Sequence, residues 1–239
     1  MRAHRIGLVV PFADDRVPAE GLTMYPEVEF VPRGTGVRSL TPAGYDAAVD
    51  KILPAALELA AEGVEAVMVI GTSLTFYRGP EAHAELLDRL RAETGLPCST
   101  MSQAVVDGLR HLGAHRVAVA TAYDGVVNDR LRELLEWHGF EVGALRAFGI
   151  TEFGDGIIRR SEAEIIGLAL EAIEAARETG DVDAALISCG GLQTLGCAVP
   201  IEAATGAPVV TSTQSAFWAA MRLVGEAGAL PGLGRMLAG

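Results

Sequence analysis

The chain lacks long apolar runs and has comparatively few basic residues. No uninterrupted apolar stretch approaches the about 18 residues that suggest a transmembrane helix, so we expect no membrane partner. The run from Ile6 to Val10 is too short for the apolar part of a signal peptide and predicts a first buried strand. The 19 Lys and Arg residues are outnumbered by 31 Asp and Glu residues, and the charge of −12 argues against a nucleic-acid partner.

Cysteine is scarce as well, and recognisable cofactor motifs are missing. Cys98, Cys189 and Cys197 are an odd number in a long chain, which argues against a disulfide framework and favours a reducing cytoplasm. The five histidines lack the spacing of a metal site, and the chain contains no G-x-S-x-G, Walker or dinucleotide-binding motif. We therefore expect neither a metal nor a cofactor.

The sequence does contain short β-branched runs that alternate with long helical patterns, which predicts an α/β fold with a mostly parallel sheet flanked by helices. Thr41 and Pro42 are typical of a helix start, Pro54 predicts a kink or break in that helix, and Ser161 with Glu164 predicts a capping box. The predicted strands are Arg5–Val10, 64–70, 116–120, Ala184–Ser188 and 208–211, with weaker candidates at 97–100 and 140–147.

Several phrases recur about 110 residues apart. The segment that begins at Arg5 resembles the one at Arg116, and the strand that ends before Gly71 has its counterpart before Cys189. One interpretation is that any α/β protein repeats such phrases. The other is two similar Rossmann-like halves, 1–112 and 113–239, related by a pseudo-twofold axis, with the C-terminal tail able to pack back onto the first half. In that case the active site would lie in the cleft between the halves, at the carboxyl ends of the strands.

Cys189 is the strongest candidate for chemistry because of its position. It follows a predicted buried strand, and Gly190 and Gly191 let a ligand approach the backbone closely. A cysteine in a strand or helix is more often a small core residue, and this is how we interpret Cys98 and Cys197.

Two other strand ends carry hydroxyl groups. Thr72 and Ser73 follow the strand of the first half and would either cap the next helix or bind a ligand. Tyr123 ends the strand that opens the second half and would either pack in the core or face the same edge of the sheet.

Four motifs are closely similar to the arylmalonate decarboxylase family, within the aspartate/glutamate racemase superfamily: Gly71-Thr-Ser-Leu-Thr-Phe-Tyr-Arg-Gly79, Leu96-Pro-Cys-Ser-Thr-Met-Ser102, Ala118-Val-Ala-Thr-Ala-Tyr123 and Ile187-Ser-Cys-Gly-Gly-Leu192. The resemblance continues in order along essentially the whole chain, including Ser39-Leu-Thr-Pro-Ala-Gly-Tyr-Asp46. Many members of the superfamily, among them the maleate cis-trans isomerases, carry two facing cysteines. Here Gly71 stands at the first position, so only Cys189 remains.

The resemblance implies a cofactor-free carboxy-lyase that converts 2-aryl- or 2-alkenyl-2-substituted malonates into optically active monocarboxylic acids. Cys189 would protonate an enediolate on one face. The implied dioxyanion hole consists of Thr72, Ser73, Tyr123 and Gly190. The implied apolar pocket and cleft consist of Pro11, Phe12, Val37, Leu40, Gly71 and Gly191. The loop 152–158 would add pocket lining, and Phe12 replaces a proline of the family, so substrate range is open.

Two alternatives stay open at this stage. A racemase or maleate-type isomerase of a small carboxylate would need an acid or base on each face of the substrate, and Gly71 supplies none. A non-catalytic two-lobed binding protein for small carboxylates would usually be exported, and no signal peptide is recognisable. In each case the partner is a small molecule, and we expect the protein to act as a monomer.

Overall fold

The computed structural model describes residues 4–37, 42–151, 160–226 and 228–238. In this part of the chain eight strands form two four-stranded sheets. The strands are β1 (Arg5–Val10), β2 (Glu29–Gly34), β3 (Ala66–Val69), β4 (Cys98–Thr100), β5 (Arg116–Thr121), β6 (Glu141–Ala147), β7 (Ala184–Ser188) and β8 (Val209–Thr211). The sheets have the orders β2-β1-β3-β4 and β6-β5-β7-β8, and all neighbouring strands are parallel.

Helices flank both sheets. They are α1 (Ala19–Met24), α2 (Pro42–Val49), α3 (Ile52–Ala61), α4 (Thr72–Phe76), α5 (Pro80–Thr94), α6 (Met101–His111), α7 (Gly125–Trp137), α8 (Glu162–Arg177), α9 (Ala198–Thr205), α10 (Ser212–Leu223) and a short 3-10 helix (Arg235–Leu237). The fold class predicted from the sequence is confirmed, and the identical strand order of the sheets is the structural counterpart of the sequence repeat. No helix among the described residues is long and apolar enough to cross a bilayer.

The predicted break in the helix of residues 42–63 is present, but it lies at Asp50 and Lys51 rather than at Pro54. Pro54 is the third residue of α3. An amide at this position has no partner within the helix, so proline removes no hydrogen bond there. Thr41 lies outside the described residues. The capping box of Ser161 and Glu164 is formed as predicted, with Ser161 Oγ accepting from the Glu164 amide at 3.3 Å.

The two sheets are joined by helices that pack across the molecule. Helix α6 follows β4 but also contacts β8, and α10 follows β8 but contacts both β3 and β4. In addition, Phe217 of α10 packs edge-to-face on Phe30 of β2, with ring centroids 5.1 Å apart. A residue near the C-terminus therefore contributes to the core of the first sheet. The domain boundary near residue 112 stays a prediction.

Candidate active site

The candidate site lies where the carboxyl ends of β3 and β7 approach one another. The segment that follows β3 contains Ile70 and Gly71, and the residue that follows β7 is Cys189. Both segments contribute to one small, mainly apolar cavity. Its described lining is Pro11, Phe12, Val37, Tyr45, Ile70, Gly71, Thr72, Ser73, Leu74, Cys189, Gly190 and Gly191. Nine of the residues predicted for the site are thus brought together around one space.

Gly71 gives the first strand end its shape. Its φ of +119° and ψ of 95° turn the chain sharply into α4, a conformation that residues with a Cβ rarely adopt. A Cβ at this position would also lie 3.2 Å from the Cβ of Leu74. The turn places Thr72 and Ser73 at the cavity directly after the strand.

The hydroxyl groups of Thr72 and Ser73 do not cap α4, because the N-cap residue of this helix is Gly71 and the helix has no side-chain cap. Thr72 instead donates to Ser212 Oγ at 2.8 Å, while Ser73 Oγ accepts from the hydroxyl of Tyr45, also at 2.8 Å. Both side chains are buried. The capping interpretation is therefore wrong, and each hydroxyl is held by a buried partner from another element.

Tyr123 lies two residues beyond β5 and is completely buried. Its ring packs edge-to-face on Phe76 with centroids 6.0 Å apart, and its hydroxyl is 3.4 Å from Ser188 Oγ. Tyr123 and Cys189 are close enough for each to influence the pKa of the other. Burial holds the pKa of Tyr123 well above its usual value, so the phenol keeps its proton and can donate. The packing interpretation is therefore confirmed. Tyr123 is not among the described residues that line the cavity, and its role in binding a ligand stays a prediction.

Cys189 is a buried thiol, with 6% of its surface exposed. Burial raises its pKa to about 11, although the amides of Gly191 and Leu192 and the hydroxyl of Tyr123 act in the opposite direction. The next helix along the chain begins only at Ala198, so Cys189 does not stand at the start of the helix that follows it. Cys189 is consequently a protonated S–H group at neutral pH.

Gly190 allows the chain to pass close to its neighbours. A Cβ on Gly190 would lie 2.8 Å from Met101 Sδ, and the same sulfur accepts the Gly71 amide at 3.4 Å. Met101 therefore packs between the two strand ends. A side chain at position 190 would therefore displace the end of the Met101 side chain.

Comparison with known proteins identifies the family. The family model described as arylmalonate decarboxylase matches residues 6–237 of the chain. The chain belongs to the arylmalonate decarboxylase family. Membership of this family makes it a carboxy-lyase, as the resemblance in the sequence predicted.

Individual relatives agree with this assignment. Arylmalonate decarboxylase of Bordetella bronchiseptica is 44% identical over 232 residues, which cover 97% of this chain and 95% of that protein. A double variant of arylmalonate decarboxylase in its liganded form has a TM-score of 0.94 at 42% identity, covering 98% of this chain and 99% of that one. The maleate isomerase of Nocardia farcinica is 27% identical over 249 residues, which cover 99% of this chain and 96% of that protein.

Not every position expected from the arylmalonate decarboxylase family can be placed in the cavity. Leu40 and the loop 152–158 lie outside the described residues. Phe12 does line the cavity, and the guanidinium of Arg16 lies over its ring at 4.1 Å from the centroid. Phe12 also lines a second, larger groove, and Gly190 and Gly191 line both this groove and the cavity. A bulky ring thus stands between the cavity and the groove.

Several residues of the site were not singled out from the sequence. Tyr45, Ile70 and Leu74 line the cavity, and Ser212 holds Thr72. Tyr45 belongs to the motif Ser39–Asp46 that resembles the family, and its place in that motif is the signal that could have identified it. Ser212 belongs to a helix start 140 residues after Thr72, and no local pattern connects the two.

The other cysteines are core residues. Cys98 in β4 is 1% exposed and Cys197, just before α9, is fully buried. Cys98 Sγ lies 3.3 Å from Thr94 Oγ1, and burial raises the pKa of both thiols. Of the three thiols, only that of Cys189 contributes to the cavity.

Proposed function

We propose that this protein decarboxylates 2-aryl- or 2-alkenyl-2-substituted malonates without a cofactor and releases a single enantiomer of the monocarboxylic acid. One observation carries the proposal. A single protonated thiol, Cys189, shares a small apolar cavity with the hydroxyl groups of Thr72 and Ser73, and the opposite strand end has glycine in place of an acid or base.

The first step is binding of one carboxylate of the malonate. The hydroxyl groups of Thr72, Ser73 and Tyr123 and the amide of Gly190 form the proposed dioxyanion hole. Ser73 accepts from Tyr45, so its own proton is free to donate and this group needs little reorganisation when charge develops. Thr72 has to turn its proton from Ser212 towards the carboxylate. The Arylmalonate Decarboxylase of Bordetella bronchiseptica, by its name, acts on the same class of malonate.

The second step is cleavage of the carbon–carbon bond. The other carboxylate lies against the apolar wall of Pro11, Val37 and Leu74, where it loses hydration without gaining a partner. Loss of CO2 removes this buried charge. The electron pair of the broken bond passes to the α-carbon and is delocalised into the retained carboxylate as an enediolate.

The third step is protonation. The S–H of Cys189 gives its proton to the α-carbon, and the resulting thiolate takes a proton from water to restore the resting state. Because Gly71 has no side chain that could carry a proton, protonation occurs on one face only. The product is therefore a single enantiomer.

The experiment uses purified protein with and without EDTA, and three substrates: 2-phenyl-2-methylmalonate, maleate and aspartate. We expect CO2 and one enantiomer of 2-phenylpropionate from the malonate, with turnover that survives EDTA and is lost in Cys189→Ala. Cys98→Ala, which removes a buried thiol outside the cavity, is the matched control and should keep full activity.

Other outcomes would contradict the proposal. Turnover of maleate without CO2 would instead indicate an isomerase, the activity named for the Nocardia farcinica relative. Binding of the malonate with no turnover would indicate a binding protein. Loss of activity in Cys98→Ala as well as in Cys189→Ala would remove the argument that one thiol donates the proton.

A further inference from the structure

Glu20 is a partly buried carboxylate that the proposed reaction does not use. It lies in the first turn of α1, in the first half of the chain, and faces the loop of residues 190–197 in the second half. Its Oε1 accepts the amides of Thr194 and of Leu195, the latter at 2.9 Å, and its Oε2 is 3.4 Å from Thr194 Oγ1. The contact joins residues about 174 positions apart in the sequence.

The loop held by Glu20 is the one that begins at the catalytic thiol. Leu192 donates its amide to the carbonyl of Cys189 at 3.1 Å, and Cys197 donates its amide to Thr194 at 2.9 Å, so short turns connect the thiol to the anchored residues. Glu20 also lines the groove that Gly190 and Gly191 share with the cavity. The position of the carboxylate and the position of the thiol are therefore linked through a few residues of backbone.

The loop has a second carboxylate anchor of a different kind. Glu162 Oε1 accepts the Gly196 amide at 3.0 Å, but Glu162 begins α8 and belongs to the same half of the chain as the loop. Glu20 is the anchor that crosses the cleft. Hydrogen bonds from amides to a carboxylate are about twice as strong as neutral ones, so this contact is suited to hold two parts of the molecule together.

We propose that Glu20 is a positioning residue that ties the Cys189 loop to the first half of the molecule and so fixes the thiol opposite Thr72 and Ser73. This role rests on the proposed function, in which Cys189 delivers a proton to one face of an enediolate. A thiol that moved by about 1 Å would leave its line of approach, and misplacement of this size can reduce a rate by about 100-fold. It would also allow water to compete for protonation of the other face.

The test compares Glu20→Ala and Glu20→Gln with the matched control Glu162→Ala. We expect Glu20→Ala to lower kcat by about 10- to 100-fold, with a smaller change in KM and a clear loss of enantiomeric excess. Gln keeps an oxygen for the two amides but loses the charge, so Glu20→Gln should lie between the wild type and Glu20→Ala. Glu162→Ala should keep both kcat and enantiomeric excess within about twofold of the wild type, because the cross-cleft contact remains.

Enantiomeric excess separates positioning from a general loss of folded enzyme, which would lower kcat and leave product purity unchanged. Unchanged enantiomeric excess in a folded Glu20→Ala protein, or equal losses in Glu20→Ala and Glu162→Ala, would overturn the proposal. If Glu20→Ala does not fold, Glu20→Gln decides, and wild-type kcat and enantiomeric excess in that variant would refute the role of the charge.

A measurement that needs no turnover keeps the two proposals apart. The alkylation rate of Cys189, followed by mass spectrometry of its peptide, should rise at least several-fold in Glu20→Ala and stay near the wild-type rate in Glu162→Ala. If the wild type released no CO2 but these alkylation rates were found, the proposed function would be wrong and the anchoring role right. Equal alkylation of Cys189 in all three proteins would overturn the anchoring role.

Discussion

The protonation state of Cys189 gives the most direct test of the proposed proton donor. Burial raises the pKa of the thiol from 9.0 to about 11. At pH 8 the thiolate fraction is then about one in a thousand, against about one in ten for a thiol whose pKa is 9.0. The experiment therefore varies the pH. We expect the thiol of Cys189 to keep its proton far into the alkaline range.

Two assays report on this state. The alkylation rate of Cys189 by iodoacetamide should rise about tenfold per pH unit from pH 7 to 10, since only the thiolate reacts. Over the same range kcat of decarboxylation should be flat up to about pH 10 and then fall as the proton donor is lost. The slope of alkylation against pH, rather than its absolute rate, is diagnostic because burial also slows access of the reagent.

Stability gives a third, independent consequence. An acid whose pKa is raised on folding keeps its proton in the folded chain while the unfolded chain ionises. Below pH 9 both states carry S–H, so this group does not affect stability. As pH rises from 9 to about 11, the contribution of Cys189 lowers the free energy of unfolding by up to about 3 kcal/mol, a loss that Cys189→Ala should not show.

A thiol of ordinary acidity would behave differently. Alkylation that reaches a plateau near pH 9, or a kcat that declines with a midpoint at or below pH 9, would refute the argument that burial keeps Cys189 protonated. The Cys189 peptide has to be followed separately, because Cys98 and Cys197 are also buried thiols with raised pKa values.

Four further changes test other parts of the site and fold. Thr72→Val removes a donor of the proposed dioxyanion hole and should raise the barrier by about 3 kcal/mol, lowering kcat about 100-fold; a loss below threefold would exclude this role. Tyr123→Phe keeps the packing on Phe76 but removes the hydroxyl, so kcat should fall while the thermal unfolding midpoint changes little. Gly71→Cys should racemise the enantiopure product on incubation, at a stability cost of about 1–3 kcal/mol from the positive φ, and retained optical purity in the folded variant would contradict facing strand ends. Ser161→Ala should lower the free energy of unfolding by about 1 kcal/mol through loss of the capping box, with kcat unchanged; unfolding in urea measures it.

Most of the strands could be predicted because they are buried and carry β-branched residues in continuous runs. The exception is β2, which was not predicted. It contains Pro32, has mostly half-exposed residues and pairs only with β1. An edge strand tolerates proline because one side of its backbone needs no partner strand. Pro32 would argue against a central strand, but it is compatible with β2 at the edge of the sheet.

The site could be predicted only where one local signal sufficed. Cys189 with its two glycines and Thr72 with Ser73 stand directly after strands, and parallel sheets gather such residues at one edge. The partners that hold them come from elsewhere: Tyr45 from α2, Ser212 from the start of α10 and Glu20 from α1. Their identity depends on how the two halves pack, which no periodicity along the chain encodes.

The difference between the two strand ends accounts for the supply of one proton in the proposed reaction and for its delivery to one face of the enediolate. At the end of β3, Gly71 leaves the space of a side chain and no ionisable group, and at the end of β7, Cys189 supplies one protonated thiol. A second thiol at position 71 would protonate and deprotonate the opposite face, and a racemase or isomerase follows from such symmetry. Without a thiol at position 71, the proton is delivered from one face of the enediolate only. This requires that Cys189 keeps its position while the enediolate exists. In the proposed mechanism the contact of Glu20 with the loop meets this requirement, so the stereochemical outcome would depend on a residue in α1 as well as on the cysteine.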